Sequence, residues 1–587
     1  MRDSIKQFFY LLDVQAKKAI PYLMVSFFLS SVLDVIGIGL IGVFIALLLD
    51  PSFLLRKIPS MEFLQPILSG NKVIIVFGVL LIIAIVVKSL AVIAIQKQMF
   101  YFAQTFNFRL KTRLMLAYQC APYVYHLQKN SDDLMSRVQE NINGLINNML
   151  LSSLTLISSM LMTLFILLFL LILHPISTTI LLIMFICVGL GYDLLIKKDL
   201  SSMGKIIAES SGGIYKCIRH ALYGLIEVRV FGREEYFVEK LKTKYRQHLD
   251  AGAVVYRQQL LPRCLIENMI AIFTVSIGLG GFALGYDAAS IVALVGMFGV
   301  AGARLLPTVT QIMMSINQFR AGYRNLNLVY TEFIEIEQLT QDSRQDKLIF
   351  NQEDKLVFSS IQIKKVCYKY PQTNVLSLKD IDVVIYKGQS IGLIGPTGAG
   401  KSTLVNLILG FLEPQQGQLL IDGKPIKNLR VWLNNFAYIP QSIFLLDDTL
   451  RRNIAFGMKD EEIDNSRLWE VINMVQLTDV VRNLPNSIDT SIGENGIRLS
   501  GGQRQRVALA RAFYNERDII VMDEATSALD HDTEKSVINT IKRIKGEKTL
   551  IVIAHRLSTV EHCDVLYQLE KGAISKVGTF QEVVGSI

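Results

Sequence analysis

The sequence predicts a membrane all-α six-helix domain joined to a cytosolic α/β P-loop domain, and three observations predict it. Of the 587 residues, 51% are hydrophobic and the mean hydropathy is +0.38, more than a wholly water-exposed chain carries. The long apolar blocks all lie before residue 330. After a charged stretch the texture changes to short β-rich runs separated by glycine, proline and helical segments. One such run, Ser390 to Ile394, leads into Gly395-Pro396-Thr397-Gly398-Ala399-Gly400-Lys401-Ser402.

The six blocks read as spans at Ile20 to Leu49, Val73 to Ile95, Met149 to Leu173, Ile176 to Leu195, Leu265 to Leu284 and Ile291 to Met314. Lys17 and Lys18 flank the first and put the amino terminus in the cytoplasm, and Lys197 and Lys198 mark the return after the fourth. The first run is too long for a signal h-region and has no cleavage pattern, so it is expected to stay uncleaved. Residues 1–18 read either as an interfacial helix or as a polar lead-in. The connector 50–72, with three prolines, is expected to carry a short amphipathic helix on the outer surface. Residues 96–145 and 199–258 read as helical extensions of the spans into the cytoplasm. The expected division is a membrane domain 1–330, a linker 331–353 and a nucleotide domain 354–587.

The net charge of +9 is spread through the loops between apolar blocks, without a dense basic tract or an aromatic platform. It reads as the cationic cytoplasmic surface of a membrane protein and not as a nucleic-acid footprint. The six cysteines form no CxxC pair, which argues against a zinc site or a disulfide framework.

In the glycine loop, successive backbone N–H groups can turn toward a phosphate, Lys401 can reach the β/γ oxygens and the Ser402 hydroxyl can complete Mg²⁺ coordination. Gly395, Gly398, Gly400, Lys401, Ser402 and Thr403 are therefore candidate ATP-binding residues. Asp518 to Glu524 is an apolar strand ending in two carboxylates. Asp523 is suited to hold Mg²⁺ through water and Glu524 to polarise an attacking water, the division that phosphoryl transfer needs. Ser500, Gly501, Gly502 and Gln503 precede a helical run and can form a second anion-binding helix start, best used across a dimer because the first loop already encloses one side of a nucleotide. Gln441 and His555 each follow a predicted strand and can touch the γ-phosphate side. Glu524, His555 and Gln441 are thus the candidate catalytic groups, and Ser402, Gln441 and Asp523 the candidate Mg²⁺ set. With these residues in place, the second domain reads as a P-loop ATPase attached to a six-span membrane domain.

Together these motifs resemble the ATP-binding cassette family over nearly the whole chain. Leu499 to Gln503 is similar to its signature, Gln441 to its glutamine switch, Ser527-Ala528-Leu529-Asp530 to its D-loop, His555 to its histidine switch and Tyr370 to the aromatic that stacks on adenine. The resemblance adds Tyr370 and Asp530 to the nucleotide set. Six spans followed by one cassette look like a half-transporter exporter that pairs with a second copy of itself around two ATPs. Gly224 to Val230, with Phe231 to Glu235, resembles the end of an intracellular coupling region, and Ser491 to Gly496 the exporter loop before the signature.

For the cargo, the cations Lys88, Arg263 and Arg304 lie in or beside apolar spans, where they either snorkel or line a cavity for a di-anionic headgroup. The membrane domain resembles bacterial lipid-linked oligosaccharide flippases, which implies a polyprenyl-pyrophosphate-linked oligosaccharide, an amphipathic lipid-linked glycan, moved across the bacterial inner membrane among membrane lipids. Lys88 departs from the arginine expected there by that resemblance and lacks its bidentate fork. A lipid A or multidrug exporter is the alternative, since the same ATP motifs would serve it.

Overall fold

A computed structural model describes residues 2–49, 71–285, 288–342, 355–371, 373–524, 538–539, 542–554 and 556–585. The chain divides into one unit of Met1–Ala117 with Asp132–Ile334, and another of Tyr118–Ser131 with Glu335–Ile587. The expected connector helix at 50–72 falls almost wholly outside the described residues.

The described elements of the first unit are helices: α1 Arg2–Leu11, α2 Val14–Leu49, α3 Asn71–Cys120, the helical segment α5 Ser131–Leu173, α6 Pro175–Tyr223, α7 Leu225–Val230, α8 Glu234–Ala283 and α9 Ala288–Asp342; the last turn of α3, the end of α9 from Glu335 and the short α4 Tyr123–Gln128 belong to the second unit. Among the described residues, five helices are long and apolar enough to cross a membrane. The sixth expected span lies within α9. α9 continues to Asp342, so the first half of the expected linker is helix and not a loop, and residues 343–354 lie outside the described ones.

α5 and α9 run antiparallel along a seam whose partners exchange one for one. Arg137 pairs with Glu332, the Asn325 side chain fills the face of Gly144, Met149 lies against Gly322, and the Ser152 hydroxyl donates to Gln318 Oε1 at 2.6 Å. A Cβ on Gly322 would come within 3.0 Å of Met149, so glycine there permits close backbone approach. Two π-helical turns, Arg137–Asn141 and Ile146–Leu151, interrupt α5 along this seam.

A second junction joins α6, α8 and α9. Pro262 has no N–H for the carbonyl of Gln258, four residues back, and the Tyr192 hydroxyl donates to that carbonyl at 2.9 Å. The Asn317 amide donates in turn to the Tyr192 oxygen at 3.0 Å. Both Tyr192 and Gln258 are buried. Tyr192→Phe leaves that carbonyl unsatisfied in an apolar surround, and a loss of about 1–2 kcal/mol is expected. It should register as a lower thermal midpoint, whereas an unchanged midpoint would show that the clasp contributes nothing.

In the second unit two sheets form. Strands β1 Ser360–Tyr368, β2 Leu378–Tyr386, β4 Gln416–Ile421 and β5 Lys424–Pro425 make an antiparallel sheet in the order β2-β1-β4-β5. Strands β3 Ser390–Ile394, β6 Phe436–Ile439, β7 Ile519–Asp523, β8 Thr549–Ile553, β9 Val565–Glu570 and β10 Ala573–Gly578 make a six-stranded sheet in the order β10-β9-β3-β8-β7-β6. All its pairings are parallel except β9 with β10. β3, β7 and β8 are buried along their whole length, which explains their unbroken apolar runs.

Side-chain alternation sends Ile519, Val521, Ile551 and Ile553 into one core with helix α10 Lys401–Ile408. Ile520, Met522, Leu550 and Val552 enter another with helix α11 Gly501–Tyr514. α10 and α11 thus cover opposite faces of the same sheet. α4 packs with the α10 core: Val124 lies against it and the Tyr123 ring is 5.3 Å from that of Phe411.

Candidate functional site

The parallel strands β3, β6, β7 and β8 bring their carboxyl ends to one edge, where Leu393 and Asp523 both register with Ile553, and Met522 with Ile439. This edge is where an α/β sheet presents ligand-binding loops. It gathers Gly395, Gln441 and the adjacent Asp523 and Glu524 from three segments distant in sequence.

The loop after β3 is shaped by glycine. Gly395, Gly398 and Gly400 have φ of +142°, +79° and +104°. A Cβ on Gly395 would collide with the Leu569 carbonyl oxygen, and one on Gly400 would stand 2.7 Å from the Ser377 carbonyl oxygen. Lys401 opens α10, is buried, and donates from Nζ to the carbonyls of Gly395 at 2.8 Å and Pro396 at 3.0 Å. Burial holds its ammonium below the usual lysine range, while Glu524 and Asp523 pull it the other way. Ser402 is exposed at the start of α10, and Thr403 is buried, its Oγ1 3.3 Å from the Tyr370 hydroxyl. Tyr370 stands edge-on to Tyr368 at 5.1 Å.

Asp523 ends β7 and is buried. Glu524, next along, has φ of +54°, an uncommon conformation for a residue with a side chain. Three elements hold it there: its N–H donates to the Ile553 carbonyl at 3.1 Å, its Oε2 accepts from Gln441 Nε2 at 3.0 Å, and its carbonyl accepts from Gln505 Nε2 at 3.5 Å. Gln441 is exposed. Tyr438 on β6 is pushed up to about 12 by burial, with Asp523 and Tyr123 adding to it, so it stays a neutral phenol.

Ser500 caps α11 in a reciprocal box: its hydroxyl accepts from the Gln503 N–H at 3.2 Å and its N–H donates to Gln503 Oε1 at 2.8 Å. Ser500 is exposed at the helix start, leaving the Gly501 and Gly502 amides at a positive helix end. α10 and α11 lie on opposite sheet faces, with Lys401 at the start of one and Ser500 capping the other. Asp530 and His555 lie outside the described residues.

Residues that the motif reading missed tie this machinery together. Gln505 reaches Glu524 from α11, and Arg511 donates to the Asn453 carbonyl at 2.9 Å and the Phe444 carbonyl at 3.1 Å while stacking 4.5 Å from the Phe456 ring. Burial draws Arg511 down to about 10, still a cation at neutral pH. α11 is thereby fastened to the loop that follows Gln441. A repeated Gln-Arg pattern after Gln503 was the available signal.

The donor set fits ATP with Mg²⁺: a glycine loop in which Cβ atoms on Gly395 and Gly400 would clash, a buried ammonium whose hydrogen bonds among the described residues go to backbone carbonyls, and two adjacent carboxyls at one strand end. Ser402, Gln441 and Asp523 would hold the ion, which would neutralise charge developing on the phosphates.

The cargo candidates fare differently. Lys88 is not a lone cation: it is buried on α3 and ion-paired with Asp34 of α2, a partner the span-by-span reading did not weigh. Arg263 is exposed on α8, directly after Pro262. Arg304 is half-buried on α9 beside the fully buried Leu305, with no side-chain ion pair among the described residues.

The family described as ABC transporter matches residues 378–527, and that described as ABC transporter transmembrane region matches residues 20–304. A protein of Saccharophagus degradans named ATP-dependent lipid A-core flippase is 30% identical over 471 residues, 79% of this chain and 77% of its own length. A protein of the same name from Cupriavidus pinatubonensis is 41% identical over 226 residues, and the match spans 38% of each chain. A solved structure described as a bacterial Atm1-family ABC exporter with ATP bound shares the fold, with a TM-score of 0.72 at 21% identity, covering 95% of this chain and 96% of that one. The cassette and membrane-region matches, and the relative matched over 79% of this chain, agree with the geometry of both units: the chain belongs to the ABC exporter family.

Proposed function

We propose that two copies of this chain form an ATP-hydrolysing flippase of the bacterial inner membrane that moves a phosphate-bearing amphipathic lipid of the lipid A class. The observation that carries the ATPase part is Glu524, held between Gln441 and β8 beside Asp523 at the strand edge that also presents the Lys401 loop. In this reading Lys401 and the loop amides bind the phosphates, Asp523 and Ser402 hold Mg²⁺, and Glu524 orients and deprotonates water. The relatives' name supports lipid A, the alternative drawn from sequence, over the polyprenyl-pyrophosphate glycan placed first there.

Two features support the second copy. The Lys401 and Ser500 sites sit on opposite sheet faces of one chain, so a nucleotide sandwiched by both takes them from two chains. In the membrane unit, the segment around α7 exposes Tyr223 at 81%, Ile226 at 76% and Phe231 at 72%, an apolar surface that a second copy would cover. Arg304 supports an anionic cargo, since a half-buried guanidinium in a span can form paired bonds with phosphate oxygens.

The test is ATP-dependent translocation in proteoliposomes, with lipid A, a polyprenyl-pyrophosphate glycan and a hydrophobic drug compared. Lipid A is expected to move fastest, and Arg304→Leu to slow it about tenfold or more at an unchanged thermal midpoint, with Arg304→Lys intermediate. Equal movement of the uncharged drug, or wild-type rates in a stable Arg304→Leu protein, would reject the anionic cargo.

A further inference from the structure

The ion pair between Asp34 and Lys88 is the buried charged cluster that the ATP machinery leaves unexplained. Asp34 is 5% and Lys88 7% exposed, and both lie inside candidate spans, Val14–Ile41 and Ile74–Cys120. α2 and α3 pass antiparallel here: Phe44 lies against Gly78 in the same register that sets Asp34 opposite Lys88. The Lys88 stem lies along α2 over Gly37, where an added Cβ would be 3.8 Å from Cδ and 4.0 Å from Nζ. One turn before Asp34, the buried Ser31 hydroxyl is turned back to the Phe27 carbonyl at 2.9 Å, so it does not serve the pair.

Stability does not account for this pair. Withdrawing two charges from water is costly, and apolar residues of the same volume usually hold two helices as well or better. A lysine ammonium also carries three donors, and Asp34 is the ion-pair partner of Lys88 among the described residues. A phosphate group offers more acceptor oxygens and up to two negative charges, so it is the stronger partner for the same ammonium in a low-dielectric span.

We propose that Asp34 is a resident counter-ion that an incoming lipid phosphate displaces from Lys88, making this pair a headgroup-exchange site between α2 and α3. The inference rests on the phosphate-bearing cargo proposed above. Asp34 pairs with the lysine when no cargo is bound, and it sets a threshold that uncharged lipids cannot cross. Lysine suits the exchange because its flexible stem carries a compact charge that can swing between two partners, where an arginine fork would hold one carboxylate bidentately.

The experiment uses the full-length protein in nanodiscs of zwitterionic lipid. ATPase stimulation is titrated with lipid A in one arm and a polyprenyl-pyrophosphate glycan in the other, for wild type, Asp34→Asn, Lys88→Met and the Asp34→Asn/Lys88→Met double variant. Removing the competitor is expected to lower the half-stimulating concentration about tenfold in Asp34→Asn, and removing the cation to raise it about tenfold in Lys88→Met. The double variant should match Lys88→Met. Thermal unfolding of each preparation accompanies the titration, and the double variant, which buries no charge, covers the case in which a single variant does not fold. A double variant that titrates like wild type, or an unmoved midpoint in folded Asp34→Asn, overturns the exchange while leaving the cargo reading intact. Failure of both phosphorylated lipids to stimulate wild type rejects the cargo reading and the exchange together.

Discussion

Glu524→Gln is expected to lower the ATP turnover of the purified protein by about 100-fold or more while leaving nucleotide affinity within about twofold. Glutamine fills the same volume and its amide oxygen can still accept the Gln441 Nε2 hydrogen bond that holds the wild-type carboxylate at 3.0 Å. The backbone strain at φ +54° and the N–H bond to the Ile553 carbonyl are also untouched, so the substitution removes a proton acceptor and little else. Steady-state hydrolysis and equilibrium binding of a fluorescent nucleotide, measured on the same preparation, separate the two effects. Hydrolysis near the wild-type rate would exclude Glu524 as the base and shift attention to the other groups at this strand edge.

Much of this site was legible because its parts are local. A glycine loop between strand and helix, a strand ending in two carboxylates, and a serine three residues before a glutamine at a helix start each encode their own geometry, and the last appears as the Ser500–Gln503 capping box. Contacts made by tertiary register were not legible. Lys88 was read span by span, and its neutralisation by Asp34 depends on how α2 and α3 slide past one another. The Tyr192 hydroxyl finds the Gln258 carbonyl only because Pro262 frees it and α6 happens to pass there. The end of α9 at Asp342 was obscured by its charge: a helix leaving the membrane needs no apolar stripe, so its polar last turns looked like a linker. The grouping of Tyr123–Gln128 with the nucleotide domain rests on Tyr123 and Val124 meeting a core formed by residues almost 300 positions later.

The second large effect concerns how a nucleotide site is assembled. Lys401→Ala removes the buried ammonium of the phosphate loop, and Ser500→Arg places a bulky cation at the exposed start of α11 and breaks its capping box. Each homodimer is expected to lose about 100-fold or more of its ATPase activity, because each carries one damaged component in both sites. In mixed dimers the arithmetic changes. In the proposed dimer, with α10 and α11 on opposite faces of one sheet, a shared site would take its loop from one subunit and its helix start from the other. A mixed dimer then holds one intact site and one doubly damaged site. Random pairing at equal amounts makes about half of the dimers mixed, so turnover of about a quarter of wild type is the ceiling if the sites work independently. If both sites are needed for turnover, the intact one still binds, so vanadate trapping of labelled nucleotide is measured alongside hydrolysis. One trapped nucleotide per mixed dimer, against none in either homodimer, is the expected result. Absence of trapping at every mixing ratio, with mixed dimers verified by differential tags, would mean that each chain builds its site from its own residues, which the opposite placement of α10 and α11 argues against.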